Sequence, residues 1–335
     1  MKKLTAIILA LAFAQVLQAA EVNIYSARGE DLIKPALDRF TEETGIEVNL
    51  ITENADALIR RIELEGANSP ADVLLTVDAG RLHAAKEAGL LQTIESDLLA
   101  SLVPEHYRDP DNLWYGLSLR SRVIMYDRLR VSADQISSYE DLADPRWRNK
   151  VCIRSSGNIY NQSLVASMIA HQGAEATEVW AEGLVANFAR PPQGGDRDQI
   201  RAVVAGQCDL AVSNTYYLAG MLTSGVADDI DVARQVAVLW PNQDGRGAHM
   251  NVSGAGVLRN APNKESAIRL LEFLTGDFAQ QWYAETNGEY PVRQDIAISD
   301  VLKGFGEFKA DGLGLEKLGE YNAEAVRLMD RAGWR

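Results

Sequence analysis

The chain has 335 residues, 47% hydrophobic and 24% charged, and its 47 acidic residues outnumber 33 basic ones for a formal net charge of −14. Such a composition excludes a disordered chain and a disulfide-stapled mini-scaffold, and the length suits two domains that each bury a core. The acidic balance, with no Lys/Arg run, argues against nucleic acid and anionic membranes as partners.

The first twenty residues read as a secretory signal. Lys2 and Lys3 form a positive start, Leu4 to Ala14 is almost purely apolar, and Gln18-Ala19-Ala20 offers small residues for cleavage near Ala20. That run is too short to span a bilayer comfortably, and no later stretch could span one. A soluble product in a bacterial periplasm is expected. Cys152 and Cys208 both lie in the exported part. Two cysteines in an oxidising compartment most often pair, so a Cys152–Cys208 disulfide is expected. A thiol metal site is disfavoured, since no CxxC and no nearby His accompany them.

From Val22 onward, strands and helices alternate. Val22–Tyr25 reads as a strand. Leu32, Ile33, Ala36, Leu37 and Phe40 then recur at helical spacing up to Gly45, with Pro35 tolerated only near the helix start. Strand Glu47–Ile51, helix Asp56–Glu65, strand Asp72–Thr76 and helix Arg81–Ala88 follow. This rhythm predicts an α/β fold with a mostly parallel sheet and helices on both faces. Leu117–Asp127 reads as a strand that carries the chain into a second α/β region, where strand Val151–Arg154 precedes helix Asn161–Ala170 and strand Asp209–Ser213 precedes helix Tyr216–Thr223. Val236–Leu239 carries the chain back to strand Ser253–Leu258 and helix Lys264–Leu274. Two crossings give two discontinuous lobes, 21–121 with 246–295 and 122–245 with 296–335, and a cleft on a double hinge.

The motifs of common enzyme classes are missing: no Gly-x-Ser-x-Gly, Walker loop, Gly-x-Gly-x-x-Gly or His-Glu-x-x-His. None of the four histidines, His83, His106, His171 and His249, has a neighbour at metal-ligand spacing. A non-catalytic role is therefore expected. The aromatic hydroxyls carry more information. Tyr216 and Tyr217 open a predicted helix just after a strand, which is where open α/β sheets bind ligands. Tyr160 repeats the arrangement after Ser155-Ser156-Gly157-Asn158. Taken singly these are ordinary packing tyrosines. Three phenols converging from one lobe instead suit a hard, highly charged cation such as Fe³⁺, which lowers the phenol pKa enough to ionise it. Arg120 and Arg122, two apart on the crossing strand, would share one face and could hold carbonate or a related small anion, with Ser155 and Asn158 adding donors.

These stretches resemble the periplasmic ferric-ion-binding proteins, the soluble receptors of iron(III) ABC importers. The likeness runs through Asn23-Ile24-Tyr25-Ser26-Ala27-Arg28, residues 70–82, 117–126 and 155–162, Ser213-Asn214-Thr215-Tyr216-Tyr217, and 247–257. It implies a type II periplasmic binding fold, Tyr160, Tyr216 and Tyr217 as iron-binding phenols, Arg120 near an accompanying anion, and delivery by a monomer to an inner-membrane ABC permease. Many relatives carry His-Tyr after the first Tyr-Ser-x-Arg, where this chain has Gly29-Glu30, and others carry Glu near Thr76-Val77-Asp78. The expectation is thus three tyrosines plus an exogenous anion, with Glu30 and Asp78 as the first-lobe carboxylates that closure would bring into question. The alternatives are a receptor for an organic anion or a polyamine, and an exported enzyme on the same scaffold.

Overall fold

The strand that carries the chain between lobes sets the architecture. In the computed structural model, which describes residues 20–335, the strands are β1 (Glu21–Ser26), β2 (Glu47–Thr52), β3 (Val73–Thr76), β4 (Trp114–Asp127), β5 (Val151–Cys152), β6 (Leu210–Asn214), β7 (Val236–Leu239), β8 (Met250–Val257) and β9 (Tyr290–Pro291). The expected signal segment, apart from Ala20, lies outside the described residues. Strand order is β2-β1-β3-β8-β4-β6-β5, with β7 and β9 also pairing β4. The first part of β4, Trp114 to Ser121, pairs antiparallel with β8. Its second part, from Arg122, pairs antiparallel with β6 and β7. A single buried strand thus runs through both halves of the molecule.

The sheet is mixed rather than mostly parallel. β1 runs parallel to β2 and β3, and β5 to β6, as strand–helix–strand units require. The long connecting strands β4 and β8 run against their neighbours. A local rhythm cannot reveal this, because these pairings join residues more than eighty positions apart.

Local chemistry explains most element boundaries. Gly45, at φ 70°, ends the helix Lys34–Thr44 in the left-handed conformation that glycine adopts without steric cost. Asn54 caps the helix Ala55–Glu65 by accepting from the Ala57 amide at 2.8 Å, and Asp78 caps Ala79–Glu87 through the Gly80 amide. β5 stops at Cys152 instead of running to Arg154. The Arg154 carbonyl is taken by the side chains of Asn161 and Trp334. Helices absent from the sequence reading, among them Ala174–Ala186, Asp196–Val204, Ala227–Gln235 and Asp277–Thr286, complete the layers.

Apolar side chains gather in one large cluster around β1, β3, β8 and the first part of β4, and in two smaller ones on either side of β6. The segment 296–335 divides between them. Leu302, Leu315 and Leu318 join the large cluster, while Ala325, Leu328 and Met329 join a second one. The short helix Glu316–Glu320 packs on both Ala79–Glu87 and Ile159–Gln172. A Cβ at Gly319 would lie 2.3 Å from His83, so only glycine allows that approach. No described helix is long and apolar enough to cross a membrane.

Cys152 and Cys208 form a disulfide that ties β5 to the turn entering β6. Chain-entropy arguments give such a loop a stabilisation of about 4 kcal/mol, less if the native geometry is distorted. Replacing both cysteines by serine should lower the thermal midpoint while leaving far-UV circular dichroism native. An unchanged midpoint would show that the crosslink contributes nothing to stability.

Candidate metal centre

Two strand-to-helix junctions build the cleft. β5 leads through residues 153–158 into the helix Ile159–Gln172, and Tyr160 is the second residue of that helix. β6 leads directly into the helix Thr215–Leu222, whose second and third residues are Tyr216 and Tyr217. β5 and β6 are parallel neighbours, so their carboxyl ends lie side by side and aim both helix starts at one edge. Tyr160, Tyr216, Tyr217 and Arg120 all line one cleft of about 450 Å³. The Tyr216 and Tyr217 rings stand 4.3 Å apart, and the Arg120 guanidinium lies 5.6 Å from the Tyr216 ring centre.

The electrostatics keep Tyr216 and Tyr217 protonated unless a cation arrives. Burial pushes Tyr216 well above the ordinary phenol value, and neighbouring Tyr160 and Tyr217 add to it, against a lowering by Arg120. Burial and then Tyr160 raise Tyr217 to about 12. A multivalent cation between the oxygens reverses this balance, since it favours the charged form of each phenol at once.

Arg120 is 1% exposed and anchored in the first lobe. It donates to the Val77 carbonyl, the Val252 carbonyl at 2.9 Å, the Ser253 hydroxyl, and Glu289 at 3.1 Å. Its Nε is buried with no partner. Glu289 is shared with Arg28, which reaches it at 2.7 Å, and accepts from the Ser118 hydroxyl at 2.7 Å. Burial alone would raise the Glu289 pKa, but the Arg28 and Arg120 charges and their hydrogen bonds outweigh it and hold the carboxyl below its usual value.

Arg122 sits behind the cleft, not on its wall. Its guanidinium pairs with Asp196 at 2.8 Å and donates to Asn214 and Asn161, both at 3.0 Å. Asn161 in turn donates to the carbonyls of Arg154 and Ser155, and Asn214 lies 3.5 Å from the Tyr216 hydroxyl. The i, i+2 spacing does not bring Arg120 and Arg122 to one anion, because each guanidinium is held by the buried carboxylate of its own half. Ser155 and Asn158 form the turn before Tyr160 and do not line the cleft; the Asn158 side-chain oxygen is buried without a partner. Asp78 is fully buried and accepts from Ser163, Asn251 and the Gly80 amide, while Glu30 is exposed beside the cleft-lining Gly29. Tyr25 packs in the core with its hydroxyl on Glu65.

Among the cleft residues that escaped the sequence reading of the site are Arg28, Asn287, Glu289 and Arg197. Arg28 belongs to a stretch already quoted, Tyr-Ser-Ala-Arg. The others carry no local signal, since they meet the tyrosines only through the fold. Among the described residues, no group of three or more His, Cys, Asp and Glu side chains is placed to hold a metal ion.

Comparison with known proteins gives a consistent picture. The model for the bacterial extracellular solute-binding protein family matches residues 68–304. Iron uptake protein A1 of Synechocystis is 49% identical over 94% of this chain and 88% of its own length. The Fe(3+)-binding periplasmic protein of Serratia marcescens is 30% identical over 96% and 94%. A solved structure of the Trichodesmium IdiA/FutA protein, in complex with iron and citrate, superposes with a TM-score of 0.92 at 51% identity, covering 94% of this chain and all of that one.

Glu289→Gln should destabilise the fold by about 3 kcal/mol, because it leaves two buried guanidinium groups without a carboxylate. The folded pKa of Glu289 lies below its unfolded value, so its stabilisation is complete above about pH 4.3 and is lost as pH falls through the folded value. Thermal unfolding of both proteins across pH should therefore show a gap at neutrality that narrows in acid. A gap constant with pH would remove the charge from the explanation.

Proposed function

Because this chain belongs to the family of bacterial extracellular solute-binding proteins, we propose that it is a periplasmic receptor that captures Fe³⁺ in its cleft and delivers it to an inner-membrane ABC permease. The observation that carries this reading is the gathering of Tyr160, Tyr216 and Tyr217 in one cleft with Arg120. The Synechocystis and Serratia relatives, both described by their iron chemistry, support it. The role is binding and release, without turnover.

Three phenols that lose their protons to the periplasm supply three negative charges, which balance those of Fe³⁺. Hard oxygen donors match a hard ion, and three of them leave coordination positions open on a metal that takes six. A small anion fills those positions, and Arg120 is the residue to meet it, since its Nε has no protein partner. Arg28, through Glu289, holds Arg120 in place. Arg122 takes no part in the anion contact. Its task is to hold Asn161 and Asn214 beside Tyr160 and Tyr216. The lobes, 21–121 with 246–295 and 122–245, with the segment 296–335 packed on both, close about the strands that join them, and opening exposes the metal to the permease.

Protons and Fe³⁺ compete for the same phenolate oxygens, so acidification should release the metal. Phenylalanine removes only the oxygen donor and keeps the ring. Tyr160→Phe, Tyr216→Phe and Tyr217→Phe should fold normally but lose the phenolate-to-iron charge-transfer band. Loss of an outer partner alone costs about 10–100-fold in metal affinity, so losing a ligand should cost at least about 100-fold. Tyr25→Phe, outside the cleft, should keep both band and affinity. If Tyr216→Phe and Tyr217→Phe bind iron with unchanged colour and affinity, the cleft serves another solute, such as an organic anion.

A further inference from the structure

One loop of the first lobe presses its backbone against the tyrosine helix. The helix Asp277–Thr286 ends at Asn287, and Gly288 turns the chain at φ 62°, in the left-handed region that glycine adopts without steric cost. The Glu289 amide then returns to the Tyr283 carbonyl at 3.2 Å. That turn sends three consecutive residues to three places. Asn287 donates from its side-chain amide to the Leu32 carbonyl at 3.1 Å, on the wall of the cleft. Glu289 takes the guanidinium groups of Arg28 and Arg120. Gly288 faces the helix Thr215–Leu222 of the other lobe, where a Cβ on it would lie 2.7 Å from the Ala219 Cβ and 3.9 Å from the Tyr216 Cα. Carbon atoms rest about 3.5–4.0 Å apart, so nothing larger than glycine fits at this position.

The tyrosine helix offers a matching surface. Tyr216, Ala219, Gly220 and Thr223 stand at i, i+3, i+4 and i+7, so they share one face. Tyr216, Gly220 and Thr223 line the cleft. Ala219, 2% exposed, joins the large apolar cluster of the first lobe rather than the two clusters of its own half. We propose that Gly288 and Ala219 form the clasp of the closed cleft: they are positioning residues whose contact sets how long the metal is held, without touching it. This rests on the ferric reading above and deepens it. The loop is tied to Arg120 through Glu289, to the cleft wall through Asn287, and to the backbone of Tyr216 through Ala219. Asp78 and Ser163 also join the lobes, but by a hydrogen bond between rotatable side chains. The Gly288 seat has no such slack, because one partner is backbone and the other a methyl group fixed on a helix. One added carbon at either partner therefore holds the loop and the tyrosine helix apart by about 1 Å.

The test measures iron release. Protein loaded with Fe³⁺ and bicarbonate is mixed with excess EDTA, and the charge-transfer band is followed as it fades. All three phenols and Arg120 stay in place in every variant, so each should show the wild-type band when loaded and native far-UV circular dichroism. Gly288→Ala should speed release about tenfold or more, the scale of overpacking a tight contact. Adding Ala219→Gly to it should slow release again by at least about threefold. The carbon that the new methyl group meets is then gone, while the strain of a left-handed alanine remains, so recovery reports the contact and not the turn. Ala219→Leu raises the same clash from the other lobe and leaves the turn alone, so it should also speed release about tenfold or more, and it carries the test should Gly288→Ala unfold. Wild-type release in Gly288→Ala or Ala219→Leu, or a double variant no slower than Gly288→Ala, would overturn the clasp and leave the ferric site standing. A wild type that shows no band with Fe³⁺ would overturn the ferric reading and the clasp with it.

Discussion

One buried ion pair, Arg122 with Asp196, holds the candidate site together. Both side chains are 1% exposed or less, and a charge so buried is costly unless paired and fully hydrogen-bonded. The guanidinium satisfies itself on Asp196, Asn161 and Asn214 at once, and those three residues come from three different helix starts. Asn161 follows Tyr160 in sequence, and Asn214 lies two residues before Tyr216. The strand that crosses between lobes therefore also fixes the spacing of the two tyrosine-bearing junctions. Arg154 adds a second pairing to Asp196 and extends the network to the chain just before Ser155.

Two of the three cleft phenols resist ionisation on their own. Desolvation and mutual repulsion raise Tyr216 and Tyr217, so both hold their protons unless a cation draws them off. The Cys152–Cys208 bond, the parallel pairing of β5 with β6 and the Arg122 network all act within the half that bears the tyrosines. Ordering these donors costs little at the moment of binding, because folding has already done it. The first lobe contributes a different chemistry, two guanidinium groups around one carboxylate, suited to an anion rather than to a metal.

Much of this was legible in the sequence. The apolar periodicity marks β1, β2, β3 and the helices between them to within about two residues, a precision expected of strongly periodic segments. The tyrosines stood out by position, each following a strand at a helix start, and the pairing of two exported cysteines followed from compartment. Tertiary matters stayed hidden. β8 next to β3 and β4 turns a parallel rhythm into a mixed sheet through contacts no window covers. Alternation rightly put Arg120 and Arg122 two apart on one strand, but it could not see Glu289 and Asp196 waiting at different places along that strand. Arg197 lies in a helix of Asp, Arg and Gln with little apolar pattern, and only the folded chain brings it to the cleft.

Asp78 offers a mechanical consequence. It caps a first-lobe helix, yet it also accepts from the Ser163 hydroxyl, one turn beyond Tyr160 on the helix Ile159–Gln172. Asn251 of β8 binds the same carboxylate at 2.7 Å. The helix that carries Tyr160 is thus pinned to the opposite lobe close to its cleft end. A rotation that keeps this bond turns about it as about a fulcrum: atoms near the pin travel short arcs, and atoms at the far lip travel long ones. Tyr160, one helical turn from the pin, would stay near its place while the rim around Gly29 and Glu30 swings, so the mouth can gate traffic while the seat beneath it keeps its shape.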